Sequence, residues 1–429
     1  MKIVTIVPGF GGSFYCGNCL RDSVFVNTLK AMGHDSVMLP IYLPLTYNNH
    51  ETGQIPVFYG AVNIYLKQNF KLLRHMPAWL HRFFDSGPIL KYAAHKAGST
   101  RAAGLEEMTI SMLQGVDGFQ AEELQQLIDY LKYQEKPDVI HLSNSLLLGL
   151  AKKIHEELTI PVVCSLQDED VWIDAMVPVY RQKLWDLMAE KGLEVDAFVG
   201  VSSYFGNWMK EKLQIPDSKM HIVSIGIDPE QYKVFIPNLD PPTIGYLSRI
   251  CEDNGFEVLV DAFILLKNNP SYRNARLRVT GGMTGDDTHF VKKQVKKLKR
   301  KGYHKDVEFM ENFRPDDLHH FFHGLSVVSV PVLKGEAFGL YQLEALASGI
   351  PVVQPALGAF PEIAETTGGG LIYQPNTPSA LANALAELFS NPEKLQDMSI
   401  EGRRAIITKY NTRTLTEKMI IVYKNVMVH

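Results

Sequence analysis

Cysteine is scarce: Cys16, Cys19, Cys164 and Cys251 are the four in 429 residues. So few and so scattered, they cannot build the framework that staples small secreted domains, and Cys16-Gly-Asn-Cys19 has no second pair downstream at a zinc-site spacing. Free thiols are the reading. Long apolar runs are missing too. None approaches the roughly 20 residues that span a bilayer, and the opening MKIVTIVPGF meets Pro8 and Gly9 well short of a signal-peptide core. A cytoplasmic protein is expected. Nor is there an excess of charge: 43 Lys and Arg against 47 Asp and Glu leave −4, which gives no global pull toward nucleic acid or anionic membrane. What is present is 46% hydrophobic and 21% charged residues, the balance of an ordinary globular protein. The chain exceeds the size at which single cores stop growing, so two domains are expected.

The patterning agrees. Ile3–Val7 reads as a buried strand, followed by the loop Gly9-Phe10-Gly11-Gly12-Ser13 and a helical pattern through Val24, Leu29 and Met32 to Gly33. Strand, glycine loop and helix open a doubly wound sheet. The loop lacks the G-x-G-x-x-G spacing, so a tight structural turn and a phosphate-facing loop both stay open. After a strand at Ser36–Pro40 an insertion of about 47–136 breaks the rhythm. It returns with strands at Asp138–Leu142, Val162–Ser165, Ala197–Val201 and Met220–Ser224. Asn238-Leu239-Asp240-Pro241-Pro242 marks a crossing between domains, since adjacent prolines disfavour regular structure. A second series follows, with strands near Thr243–Leu247, Leu277–Thr280, Val307–Met310, Val327–Val332 and Pro351–Gln354. The expected plan is therefore α/β: residues 1–235, then 236–410, each a Rossmann-like domain, and a terminal helix in 411–429.

The most informative stretch is E-A-F-G-L-Y-Q-L-E, in which Glu336 and Glu344 lie eight positions apart. Glu336 falls in a loop after an apolar strand, and Glu344 falls inside a helix, Leu340–Ser348, closed by Gly349. Among Leu343, Ala345, Leu346 and Ala347, a buried and unpaired Glu344 would cost several kcal/mol, so it must face water or meet donors. The amides of Phe338, Gly339 and Leu340 open that helix, where unsatisfied N–H groups and the dipole can hold a phosphate. A ligand both anionic and hydroxylated, such as a nucleotide-sugar, fits the combination. Two solvated glutamates at accidental spacing are the alternative.

From VSVPVL through the glutamate pair to EALASGIPVV and Gly358–Ile363 (GAFPEI), the string resembles the donor-binding segment of retaining GT-B glycosyltransferases, in particular family 4. The resemblance implies two Rossmann-like domains facing a cleft, with the terminal helix returning to the first. It implies a hexose-type sugar moved from a nucleoside diphosphate to an acceptor hydroxyl with retention, and neither cofactor nor metal. Glu336 would lie beside the donor sugar, Glu344 at the ribose, and Gly11 and Gly12 against the phosphates. Ser248-Arg249-Ile250-Cys251-Glu252-Asp253-Asn254 corresponds to the family's diphosphate clamp, so Arg249 is expected on phosphate, with Asn254 where lysine is usual. In Leu166-Gln167-Asp168, glutamine stands for the family's histidine near the sugar, and Asp168 keeps the aspartate. Ala337 replaces a usual glycine. Within the insertion, Ile55–Lys67 resembles the starch and glycogen synthases and tilts the sugar toward glucose.

These departures keep a second reading alive, a weak or silent nucleotide-sugar-binding subunit serving regulation or scaffolding. Gln167 can exchange hydrogen bonds but cannot take up a proton at neutral pH. Lys334 stands near Glu336, either as a substitute cation or as a solvated residue. The acceptor, whether glycan, lipid-linked or small molecule, is not specified. Lys71–Phe84 interleaves Leu72, Trp79 and Phe83 with basic residues, so an acceptor lid, a peripheral membrane element and a packed helical hairpin are all open. Val291–Lys301 carries seven Lys or Arg in eleven residues, readable as a solvated outer helix or as a face for anionic partners.

Overall fold

In the computed structural model, residues 1–8, 17–42, 46–47, 50–51, 104–310 and 318–428 are described. Gly11 and Gly12, Ile55–Lys67 and Lys71–Phe84 lie outside them. Contacts divide the chain into two units, one holding Asn18–Ser224 with the first strand and Thr416–His429, the other Ile225–Leu415.

The first unit is built on β1 (Lys2–Val7), β2 (Asp35–Pro40), β5 (Val139–Leu142), β6 (Val162–Leu166), β7 (Ala197–Gly200) and β8 (Met220–Ile222), with a two-residue hairpin β3 (Thr46–Tyr47) and β4 (His50–Glu51) apart from them. The six strands run parallel in the order β2-β1-β5-β6-β7-β8. Ile3, Val4, Ile6, Val139, Ile140, Val162 and Val163 have no exposed surface. That is why these strands read as continuous apolar runs: helices cover a parallel sheet on both faces.

The second unit repeats the plan with β9 (Thr243–Leu247), β10 (Arg276–Thr280), β11 (Val307–Phe309), β12 (Val327–Val328), β13 (Val352–Pro355) and β14 (Gly370–Tyr373). Its order is β11-β10-β9-β12-β13-β14, again parallel. Two details differ from the sequence expectation. The strand expected over Val327–Val332 pairs only at Val327 and Val328, because Pro331 has no N–H and the Val330 amide is taken by the Gln354 side chain at 3.1 Å. And β14, GLIY, was not expected from the pattern; it completes the sheet beside β13.

Strand order reverses between β1 and β5 in one sheet and between β9 and β12 in the other. In open α/β sheets ligands bind outside the carboxyl ends of strands at such a switch point. No helix among the described residues is long and apolar enough to cross a membrane.

The helix Thr412–Met427 ends in the first unit from Thr416 onward. Its Tyr423 is fully buried, and the hydroxyl meets His141 Nδ1 at 2.6 Å while His141 Nε2 meets Ser165 Oγ at 2.8 Å. Burial first, then the nearby Arg21 charge, pushes the His141 pKa down to about 3, so the ring is neutral and uses one nitrogen as donor and one as acceptor. Tyr423→Phe removes one partner and leaves a buried ring nitrogen unpaired. A loss of about 1–3 kcal/mol is expected by urea denaturation; an unchanged midpoint would show that the bond does not anchor the helix.

Candidate functional site

The switch point of the second unit gathers most of the residues singled out in the sequence. The loop leaving β9 turns back on itself: the buried Tyr246 hydroxyl donates to the Arg249 carbonyl at 3.0 Å, and Ile250 N–H donates to Gly282 O at 2.8 Å. Asn254 donates its side-chain amide to Ser248 Oγ at 2.9 Å and to Arg249 O at 3.1 Å. Asn254 is thus a brace within the loop that carries Arg249. The Arg249 side chain reaches Cys251 Sγ at 3.5 Å and Asp287 Oδ2 at 3.9 Å. Burial opposes its charge, yet Cys251, Asp287 and Asp253 outweigh that and raise its pKa.

The loop leaving β12 lies against this one. Leu333 N–H donates to Asp253 O at 2.9 Å, and a Cβ on Gly255 would sit 1.7 Å from Pro331 O. Glu336 follows, half-buried. Burial, chiefly, holds the Tyr246 phenol well above its ordinary range, with Arg249 and Glu336 acting on it in opposite senses. Both charges thus act on one buried hydroxyl. Tyr341 lies in the same neighbourhood: burial comes first and Glu336 second among the causes that raise it, and its hydroxyl accepts from Gln354 Nε2 at 3.1 Å.

Gly339 has φ +85 and caps the helix Leu340–Ala347, every residue of which is buried. Without a preceding turn, the amides of Leu340 and Tyr341 have no intrahelical acceptor, while Gln342 N–H donates to Gly339 O at 3.0 Å. Phe338 and Gly339 are buried beside them, and Gln342 Nε2 returns to Phe338 O at 2.8 Å. Glu344 is 2% exposed, and it meets the donor its burial demands: the Tyr232 hydroxyl, at 3.1 Å from Oε1. Lys334 is exposed on the same loop.

Gln167 and Asp168 belong to a second cluster, at the carboxyl ends of β5 and β6 in the first unit. Gln167 is buried; its Nε2 donates to Ser143 O at 2.5 Å, while Oε1 meets no partner. Asp168 takes a left-handed φ of +58 at the start of the helix Glu169–Asp174. Glu169, 2% exposed, accepts from Ser145 N–H at 2.8 Å and Gln167 N–H at 2.7 Å. Burial pushes Glu169 up to about 7 against the pull of those amides. Burial, then the charge of Asp168, pushes Asp170 up to about 6.

Tyr232, Tyr246, Tyr341, Gln354 and Glu169 were not singled out from the sequence. The first four sit in or beside apolar runs and read there as core. Glu169 reads as a solvated acid next to Asp168 and Asp170, although its place directly after a strand end was a usable signal.

Comparison with known proteins adds the family context. A model described as Glycosyl transferases group 1 matches residues 228–405, and one described as Glycosyltransferase Family 4 matches residues 114–231. A D-inositol 3-phosphate glycosyltransferase of Corynebacterium glutamicum is 29% identical over 195 residues, covering 42% of this chain and 45% of its own. The chain thus spans less than half the length of that relative. Sucrose-phosphate synthase from Thermosynechococcus elongatus superposes with a TM-score of 0.71 at 15% identity over the full length of both chains. HepE from Anabaena, solved with UDP, superposes with a TM-score of 0.67 at 14% identity, over 99% of this chain and all of its own. At such identities the likeness is one of fold.

Gly358 tests how tightly the site is built. Its φ is +58, and a Cβ would lie 2.4 Å from Glu336 N and 2.5 Å from Glu336 O. Gly358→Ala is expected to cost about 1–3 kcal/mol in chemical denaturation. A parent-like midpoint would mean that the Glu336 loop gives way freely.

Proposed function

We propose, from the premise that the chain belongs to glycosyltransferase family 4 and has the GT-B fold, that it moves a hexose-type sugar from a nucleoside diphosphate donor to an acceptor hydroxyl with retention of configuration. The observation that carries the reading is the convergence of Arg249, Glu336 and the Gly339 helix start at one switch point, with Glu344 held inside the same helix.

In this reading Arg249 and the first amides of the helix Leu340–Ala347 take the diphosphate, and Glu344 takes the ribose hydroxyls. Charge-assisted contacts to phosphate are roughly twice as strong as neutral ones, and donors aimed at charge that grows in the transition state lower the barrier most. Glu336 orients the sugar in the second unit; in the first, Asp168 fixes the turn that presents Gln167 as a hydrogen-bonding group for a hydroxyl. The nucleotide departs and the acceptor attacks on the same face, so no side chain serves as a covalent nucleophile. Arg249 and the amides neutralise the leaving group, so the scheme calls for no metal. Glucose is the favoured sugar, and a cytoplasmic location suits a nucleotide-sugar donor. Relatives of known structure bind such ligands: HepE was also solved with UDP-glucose.

One observation favours a second reading, a binding subunit that turns over slowly or not at all. Asn254 spends its amide hydrogens on Ser248 and Arg249, which leaves the clamp one cation short. Incubating pure protein with UDP-, GDP- and ADP-sugars, with and without an acceptor panel, separates the two. Release of nucleotide from at least one donor is expected. Tight binding with no release from any would establish the silent subunit.

Two substitutions examine the clamp. Arg249→Ala should lower nucleotide release on the order of a hundredfold and abolish the thermal stabilisation given by UDP; retention of both would remove Arg249 from the phosphate site. Asn254→Lys should tighten donor binding or speed release, and no change in either would show that this position does not reach phosphate.

A further inference from the structure

We infer that Glu169 is the positioning residue of the first unit's site: its carboxylate clamps the two strand-end loops that present Gln167, and the clamp is strong when the carboxylate is ionised and weak when it is not. The inference rests on the transferase reading for what Gln167 does, and on geometry for the rest.

Glu169 joins segments that are distant in sequence. One oxygen accepts the amide of Ser145, after β5, and the other accepts the amide of Gln167, after β6. A proton on either oxygen removes the charge that strengthens both contacts, so the clamp weakens and holds the Gln167 backbone less tightly. Gln167 Oε1, Ser143 Oγ and Ser145 Oγ are buried without partners, on residues no more than 5% exposed. An acceptor held in such a place suits a hydroxyl-bearing ligand.

The groups facing Glu169 keep its proton affinity high. Burial is the main cause, and Asp168 adds to it on the same turn. Cys164 on β6 feels the Glu169 charge and is itself kept protonated by burial, with Arg21 of the helix Gly17–Ala31 opposing weakly. Asp170, the next residue, feels Asp168 and Asp174, and Tyr204 feels Asp170. The folded carboxyl titrates at about 7 against 4.5 for an ordinary glutamate. The fold therefore holds a proton that the unfolded chain has released, and the stability contributed by this group falls as pH rises from 4.5 to about 7. Order in the site runs the other way, gained as the carboxylate forms.

Amide hydrogen exchange measured from pH 6 to 8, corrected for intrinsic rates, reads the clamp without any donor. In the wild type, protection of Ser145 and Gln167 should be low below pH 7 and rise above it, by up to about tenfold per unit. Glu169→Gln should show low protection at every pH, and Asp170→Asn should match the wild type. Protection independent of pH in the wild type would overturn the inference, as would wild-type protection in Glu169→Gln; should that variant fail to fold, the wild-type series decides. With UDP-glucose as donor, kcat should have an acid limb near pH 7 that Glu169→Gln lacks, with KM changed far less than kcat. A limb that survives in Glu169→Gln would sever the clamp from the reaction. Absence of turnover in the wild type would remove the transferase reading, while exchange would still decide the clamp.

Discussion

Main chain pressed against main chain is the constraint on which the second unit's site depends. Gly255 lies on Pro331, Gly281 on Ser248 and Gly358 on Glu336, each at a distance that leaves no room for a Cβ. The loops after β9, β10, β12 and β13 are thereby stacked without side chains between them. A side chain used as a spacer brings rotamers and adjustable packing, whereas backbone contact brings neither. Arg249 and Glu336 thus project from a platform whose geometry is set before any ligand arrives, the condition under which fixed charges and dipoles act on a reaction at least cost.

Charge burial is solved differently at each acid. Glu344 and Glu169 are almost wholly enclosed, and each meets donors inside its own unit, a tyrosine hydroxyl in one case and two amides in the other. Glu336 is only half-buried, and it acts on the phenols of Tyr246 and Tyr341. An enclosed carboxylate is an anchor, and a half-buried one keeps surface that a ligand hydroxyl can reach. That division matches the proposed roles, with the ribose contact rigid and the sugar contact adjustable.

Much of the fold was legible in the sequence because a parallel sheet buried on both faces writes its strands as apolar runs, as at Ile3–Val7 and Val162–Ser165. What periodicity could not show was where pairing stops. Val330 and Val332 look like strand, yet a glutamine side chain and a proline end the ladder two residues after it begins. The Glu336 and Glu344 pair pointed to the second unit's candidate site only together with the surrounding string and its resemblance to family 4. Tyr232, 112 positions before Glu344, could not be read from spacing, since their bond exists only after the chain has folded. Glu169 was hidden differently: flanked by Asp168 and Asp170 it resembles surface charge, and only its two amide contacts set it apart.

The two neutral replacements, Asn254 and Gln167, have a common structural answer. Each turns its amide back onto a carbonyl of the loop on which the site is built, Arg249 O for one and Ser143 O for the other. Both amides are spent on holding their own loops. Under the proposed reaction, the leaving diphosphate then meets one full cation and the partial positive charge of a helix start, about half a unit. That places weight on how freely Arg249 can turn to phosphate. Its contact with Asp287 is long, at 3.9 Å, and Asp287 is itself held by the amide and hydroxyl of Thr284 at 2.9 and 2.7 Å. Asp287 therefore steadies the guanidinium without a close hydrogen-bonded pair, and a diphosphate competes for Arg249 against a partner already committed elsewhere.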